Sequence, residues 1–245
     1  MYVGIMGVAK SSNSFINAMY NSGTIPSPSF SLCMTRNGGY LSLGGTPFSF
    51  PQKYHLERMQ FIPSKDNDHE TTTAENIWYN VEIKEIYLGK IQISNERILK
   101  IINADKGCII DSGTSDTYLP SAISYAFKGA WFLSTGFEFS NHMGSYTFEK
   151  FQSLPSLVVI LKNGYQWHIE PSSYMEEESS TTLKQSSFDD ELDDGWSGSK
   201  TFTARIYPIE KTGTVLGANA MFGHDILFQQ NSIGIARANC NQLPY

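Results

Sequence analysis

The chain has 245 residues and a formal net charge of −6 at pH 7, and only 17% of its residues are charged. A negative balance argues against a nucleic-acid partner, because proteins bind nucleic acids through a basic face. No apolar run approaches the ~20 residues of a membrane-spanning helix, and whether an anchor follows Tyr245 stays open. The sparse charge, with 20 Gly, favours strands and turns over a helical bundle.

The first part of the chain predicts one short helix and a hairpin. The helix is expected over residues 14–23 and ends at Gly23. Its apolar side consists of Phe15, Ala18 and Met19. Residues 28–34 and 38–45 read as two strands, and Asn37-Gly38 between them is a strong hairpin signal.

The middle of the chain predicts strands and a second helix. Residues 77–90 alternate as one long, half-buried strand with a break near Lys84-Glu85. The three apolar residues before Asp111 predict a buried strand. A short helix is expected after Pro120, with Ser121 as its cap. The face of this helix consists of Ala122, Ile123, Ala126 and Phe127.

The second half predicts three more strand regions, over residues 154–161, 201–209 and 226–240. Between them, residues 172–199 contain eight acidic residues and one Lys, with many Ser and Thr. Such a composition has little to bury. We expect this stretch to be a mobile surface insertion that is dispensable for folding and is cut first by a protease.

One short stretch, CIIDSGTSDTYLP over residues 108–120, points to chemistry. A carboxylate at the end of a buried strand is costly unless hydrogen-bond donors surround it. Ser112 and Thr114 supply hydroxyls, and Gly113 lets backbone N–H groups approach. Without the flanking residues, an aspartate that caps a turn between strand and helix would be the better interpretation of Asp111.

With its flanks, this stretch resembles the second catalytic loop of the pepsin-like aspartic proteases. In that family two apolar residues precede Asp-Ser-Gly-Thr-Ser, and Leu-Pro follows. Four other segments resemble family segments in the same order: residues 2–16, 30–45, 154–175 and 213–240. The resemblance implies an all-β, pepsin-like acid protease fold with a few short helices, mostly its C-terminal lobe.

The resemblance also implies a role for each loop residue. Asp111 is expected to be one half of a catalytic pair of aspartates that activates a water molecule against a polypeptide substrate. Ser112 would hydrogen-bond the outer carboxylate oxygen, and Thr114 would donate to the backbone of a neighbouring loop. Gly113 and Ser115 would contact the substrate. This chemistry requires no metal and no cofactor.

The sequence departs from the family in one large way, because the Asp loop of the first lobe is not in it. The resemblance divides the chain into a remnant of the N-terminal lobe (1–24), inter-lobe strands (25–47) and a C-terminal catalytic lobe (48–245). We therefore expect a fragment whose partner is the missing N-terminal lobe of the same protein. With one catalytic aspartate, the chain alone is expected to be inactive.

The three cysteines are far apart in the sequence. In related secretory enzymes a cysteine pair joins the places where Cys33 and Cys240 stand, so the resemblance implies a disulfide between them. Cys108 is then expected to be a free, packed thiol. A disulfide needs an oxidising compartment, which places the parent protein in the secretory pathway, in a vacuole or lysosome, or outside the cell.

Other functions fit the sequence less well. A serine hydrolase would need Gly-x-Ser-x-Gly, and GWSGS at residues 195–199 lacks the last glycine. The glycines of residues 38–45 run from strand to strand, not into the helix of a phosphate-binding loop. The five histidines show no metal-ligand spacing: His55, His69, His142, His168 and His224. The remaining alternative is a non-catalytic, protease-like binding or inhibitor protein.

Overall fold

A computed structural model describes residues 6–46, 60–63, 77–178 and 198–241, with the backbone alone for 60–63. This part of the chain is mostly β-sheet, which confirms the predicted fold class. Its helices are α1 (Phe15–Asn21), α2 (Glu96–Ile102), α3 (Ser124–Thr135), α4 (Phe148–Gln152), α5 (Pro171–Tyr174) and α6 (Ala218–Met221). None of these helices is long and apolar enough to span a bilayer.

The strands belong to four sheets. In chain order they are β1 (Phe30–Thr35), β2 (Gly38–Leu43), β3 (Gln60–Pro63), β4 (Asn80–Val81), β5 (Ile83–Leu88), β6 (Ile91–Gln92), β7 (Cys108–Ile110), β8 (Thr117–Pro120), β9 (Gly144–Thr147), β10 (Leu157–Leu161), β11 (Gln166–Ile169), β12 (Met175–Glu177), β13 (Ser199–Ala204), β14 (Ile206–Glu210), β15 (Thr214–Leu216), β16 (His224–Phe228) and β17 (Ser232–Arg237). The sheet orders are β2-β1-β16-β17-β3 for the first, β11-β10-β5-β6 for the second, β12-β13-β9 for the third and β14-β8-β15-β7-β4 for the fourth.

The fourth sheet contains two parallel strand pairs, whereas the other three sheets are antiparallel. In one pair, Ile110 of β7 lies beside Leu216 of β15. Because both strands run in the same direction, their carboxyl ends lie at the same edge of the sheet. The residues that follow, Asp111 and Gly217, therefore come together at that edge.

The predicted long strand is broken at Glu82, so the break expected near Lys84-Glu85 was wrong. Strand β4 pairs with β7 of the fourth sheet, and β5 pairs with β10 of the second sheet. At the break, the Asn103 side chain accepts from Ile83 N at 2.9 Å and donates to Ile83 O at 2.7 Å. A side-chain amide thus replaces a strand partner where the chain leaves one sheet for the next.

The helices differ in detail from the predictions. Helix α1 buries Ile16, whereas Phe15, predicted for its apolar side, is 45% exposed. Helix α3 is longer than expected and follows a 3-10 turn, and Ser121 does not cap it. Helix α2 was missed, although Asn95 accepts from Ile98 N as a typical N-cap.

The hydrophobic core places helix α3 against the second and fourth sheets. Its centre is aromatic: the ring of Trp131 lies 4.9 Å from that of Phe139 and 6.2 Å from that of Tyr174, in edge-to-face contacts. The polar tip of Tyr174 is satisfied, because its hydroxyl donates to Pro155 O at 2.7 Å. The same core contains Ile110, so β7 enters the loop at Asp111 from a rigid base.

The acidic stretch is shorter than expected from composition. Residues 172–174 belong to helix α5 and residues 175–177 to β12, which pairs with β13. The predicted insertion over 172–199 was therefore wrong at both ends, because backbone pairing on each side outweighs the polar composition. The remainder of that prediction, including Trp196, lies outside the described residues.

The structure confirms the disulfide between Cys33 and Cys240, whose Cα atoms are 5.1 Å apart. The bridge joins β1 to the residues after β17 across a sequence separation of 207. Cys108 is a free, buried thiol, as predicted. Burial raises the pKa of this thiol well above its usual range, so it remains neutral and packs as an apolar group.

Candidate active site

Two donors from its own loop surround the Asp111 carboxylate. Gly113 N donates to Oδ1 at 2.9 Å, and the Thr114 hydroxyl donates to Oδ2 at 2.7 Å. The backbone of Asp111 is held by its N–H, which donates to Leu216 O at 3.0 Å. Hydrogen bonds of this kind fix the orientation of the carboxyl group. Asp111 itself is half-buried, so one side of the group remains open to solvent.

The roles expected from the resemblance differ in two hydrogen bonds. The Thr114 hydroxyl was expected to reach the backbone of a neighbouring loop, but it donates to Asp111. Among the residues that the structure describes, the Ser112 hydroxyl makes no hydrogen bond to this carboxylate. The backbone N–H of Gly113 takes that place because the tight turn directs it back towards Oδ1. Gly113 and Ser115 are exposed beside the acid.

The start of helix α6 binds the other side of the loop. Ala218 N donates to Thr114 O at 2.7 Å, and Asn219 N donates to Ser115 O at 3.1 Å. The first N–H groups of a helix have no partner within the helix, so here they are available to the loop. Helix α6 thus fixes the backbone of residues 114–115 directly.

Asn219 is a positioning residue that the sequence reasoning missed. It is buried, its Oδ1 accepts from the Thr117 hydroxyl at 2.8 Å, and its Nδ2 donates to Arg205 O at 2.9 Å. The amide therefore ties the start of β8 to the link between β13 and β14. The available signal was a polar residue within the apolar run VLGANAM, which suggests a buried amide with fixed partners.

The next acid along the loop, Asp116, is engaged elsewhere. Arg205 Nε lies 2.9 Å from Asp116 Oδ1 and 3.1 Å from Glu176 Oε2. The Asp116 side chain is nearly buried in this contact. Asp116 is thus paired with a cation that holds it in place. Asp111 differs, because its two hydrogen-bond donors are uncharged.

The close packing at Gly217 yields a prediction. A Cβ at this position would lie 2.2 Å from Asp116 O and 2.5 Å from Thr114 O. Both atoms are backbone, so neither can move without moving the loop. We expect Gly217→Ala to lower the free energy of unfolding by about 3 kcal/mol, measured by urea denaturation.

Gly129 of helix α3 provides the control for that variant. A Cβ there meets nothing within 4 Å. Gly129→Ala is expected to raise the free energy of unfolding by about 0.5–1 kcal/mol, because alanine loses less backbone entropy in a helix. Equal effects of the two variants would contradict the close approach at Gly217.

In the described ranges, no three His, Cys, Asp or Glu side chains lie close enough together to hold an ion. The structure brings together at this edge of the fourth sheet the Asp111 carboxylate, its two donors and the supports from α6.

Comparison with known proteins agrees with this geometry. The family model for eukaryotic aspartyl proteases matches residues 2–191, a range that includes the Asp111 loop. No curated protein matches the chain. The closing segment 213–240, which also resembled the family, lies beyond the matched range but forms β15, α6, β16 and β17. The chain belongs to the eukaryotic aspartyl protease family.

Proposed function

We propose that this chain provides one catalytic half of an aspartic endopeptidase, with Asp111 as one of its two catalytic carboxylates. The observation that supports this most is the setting of Asp111. It is a half-exposed acid at the edge of a rigid sheet, and both of its oxygens accept hydrogen bonds from the loop. The bond from Gly113 N alone would form an ordinary Asx turn, and the Thr114 hydroxyl occupies the second oxygen as well.

The proposed chemistry follows from two carboxylates that face each other. As is general for aspartic proteases, such a pair holds one proton between its members, because both cannot ionise cheaply at close range. The ionised member removes a proton from a water molecule that attacks the peptide carbonyl. The protonated member donates to the developing oxyanion. Gly113 and Ser115, exposed beside Asp111, would hydrogen-bond an extended polypeptide substrate.

A second lobe is the proposed source of the other carboxylate. Asp116 is unsuitable, because it is paired with Arg205. The segment from Met6 to α1 is joined to residues 77–79 by two hydrogen bonds, Lys10 N to Ile77 O and the Tyr79 hydroxyl to Val8 O. Large apolar side chains of this region are exposed: Met6, Phe15, Tyr20, Ile77 and Trp78. A surface of this kind is typical of an interface, and we propose that the N-terminal lobe covers it.

The proposal includes a compartment. Eukaryotic aspartyl proteases are typically secretory or lysosomal, and the Cys33–Cys240 disulfide is compatible with an oxidising route. The alternative function is a protease-like binding protein without catalysis. The coding sequence upstream of these residues distinguishes the two, because a second Asp-Ser/Thr-Gly-Ser/Thr loop there favours the protease and its absence favours the binding protein.

The test is a peptidase assay at acidic pH on the refolded chain, with and without a co-expressed first lobe. We expect no hydrolysis by the chain alone, because a single carboxylate cannot both activate the water and protonate the oxyanion. Hydrolysis is expected when the first lobe is present. Circular dichroism of each sample controls for folding.

Two results would count against the proposal. Folded two-lobed protein without activity would favour the binding protein. Activity of the chain alone would instead indicate a pair of identical copies, each of which contributes its own Asp111, and a sedimentation measurement would then show a dimer.

A further inference from the structure

Asp225 is a buried acid that the proposed chemistry does not use. It lies on β16 of the first sheet and has no exposed surface. The register of that sheet places Cys33 opposite Asp225 on one side and Ala236 on the other, and Tyr40 opposite Cys33. Directly opposed residues project to the same face. One row across the sheet therefore contains the acid next to the disulfide.

The described groups that face this acid are uncharged. Thr46 donates a hydrogen bond to Asp225 Oδ2. The Ser31 hydroxyl, two positions before Cys33 on the same face, lies beside the acid without a well-formed hydrogen bond. Tyr40 is the titratable neighbour, and its pKa is raised by burial and by Asp225 itself, so it stays neutral. Asp225, Thr46, Ser31 and Tyr40 form what we call the Asp225 cluster.

The basic side chains nearest to Asp225 in the register, one on β16 itself and one on the neighbouring strand β17, are directed away from the Asp225 cluster. His224 and Arg237 are opposite each other in the register, one position away from Asp225 and Ala236. Side chains alternate between the two faces of a strand, so both project to the opposite face. The contact between the rings of His224 and Trp167, with centroids 5.9 Å apart, lies on that opposite face. A charge on Asp225 would thus have no cation among the described residues of its own face.

We propose that Asp225 makes the first sheet sensitive to pH: the sheet is tightly closed when the carboxyl is protonated and loosens around the Cys33–Cys240 bridge when the proton is lost. The protonated acid is neutral and fits a dry, uncharged site. The ionised acid does not, because a buried charge without a partner is expensive. On loosening, the proton passes to solvent and the carboxylate becomes hydrated.

The direction of the pH dependence follows from the protonation equilibrium. Burial raises the pKa of Asp225 above its usual range, and the hydroxyls of Thr46 and Ser31 oppose that shift. The folded sheet therefore binds the proton more tightly than the open one. The stabilisation is complete below the ordinary range of aspartate, about pH 4, and is lost as the pH rises through the raised pKa.

The experiment measures how fast a phosphine reductant opens the Cys33–Cys240 bridge in the folded chain, from about pH 4 to about pH 7.5. Each rate is divided by the rate for Asp225→Asn, a neutral side chain of the same size, so that the pH dependence of the reductant cancels. We expect this ratio to be constant at acidic pH. Between the ordinary range of aspartate, about pH 4, and the raised pKa it should increase by up to about tenfold per pH unit, the limit for release of one proton, and above the raised pKa it should level off.

Two further variants complete the test. Glu138→Gln removes an exposed acid and is expected to follow the wild type at every pH. Thr46→Val removes a hydroxyl that favours the ionised form, so the increase should continue to a higher pH before it levels off; this variant decides the question if Asp225→Asn does not fold. A ratio that is the same at all pH values, or a Thr46→Val profile that is unshifted, would overturn the proposal.

Discussion

Replacing Asp111 with asparagine is expected to lower the peptidase activity of the two-lobed protein by about 10²–10⁴-fold, the usual contribution of a general acid or base. The amide has the size of the carboxyl group but cannot take a proton from water. Its oxygen can still accept from Gly113 N, and its NH2 group can donate to the Thr114 hydroxyl, which is able to accept, so the loop should remain folded. The measurement is kcat on a peptide substrate at acidic pH, with the melting temperature of the same sample.

Asp105 offers the matched control for that variant. It has a left-handed backbone (φ 50°) and accepts a hydrogen bond from Thr212. Asparagine tolerates this conformation, so Asp105→Asn should retain activity. Full activity in Asp111→Asn with a normal melting temperature would exclude Asp111 from the chemistry.

Removing the disulfide is expected to have the largest effect on stability. The bridge closes a sequence separation of 207 residues. In the chain-entropy account, a loop of this size stabilises the folded protein by about 5 kcal/mol, because the unfolded chain loses freedom. The Cys33→Ala/Cys240→Ala variant should therefore unfold at a much lower urea concentration than the wild type.

Cys108 provides the control for the loss of cysteine itself. Cys108→Ala retains the bridge and removes one buried sulfur, for which we expect a loss of about 1 kcal/mol. Similar urea midpoints for the double variant and the wild type would mean that the unfolded chain is already compact without the bridge.

What the sequence could predict was local. The Asp111 loop was recognised because its residues are consecutive. The hairpin between β1 and β2 was recognised from Asn37-Gly38, although its two-residue loop is Arg36-Asn37 and Gly38 already pairs with Thr35. The disulfide is not local, and its prediction came from the family resemblance alone. Helix α2 was also local, but its N-cap Asn95 stands in a stretch that alternates less clearly than the strands around it.

The features that were missed depend on contacts between distant parts of the chain. The partners of Asn219 are Thr117 and Arg205, and those of Asp225 lie on β1, on β2 and at Thr46. The sequence around Asn219 or around Asp225 does not indicate which distant strand will lie beside that residue. The break at Glu82 has the same origin, because it marks where the chain passes from one sheet to another.

The Cys33–Cys240 bridge also has a topological consequence. It turns residues 33 to 240, most of the chain, into one covalent ring. A single cut anywhere between these cysteines opens the ring but releases no fragment. A nicked molecule would keep its mass apart from one added water, and its two pieces would separate on a gel only after reduction. Proteolytic processing within the ring could thus change the number of chain ends without dividing the molecule.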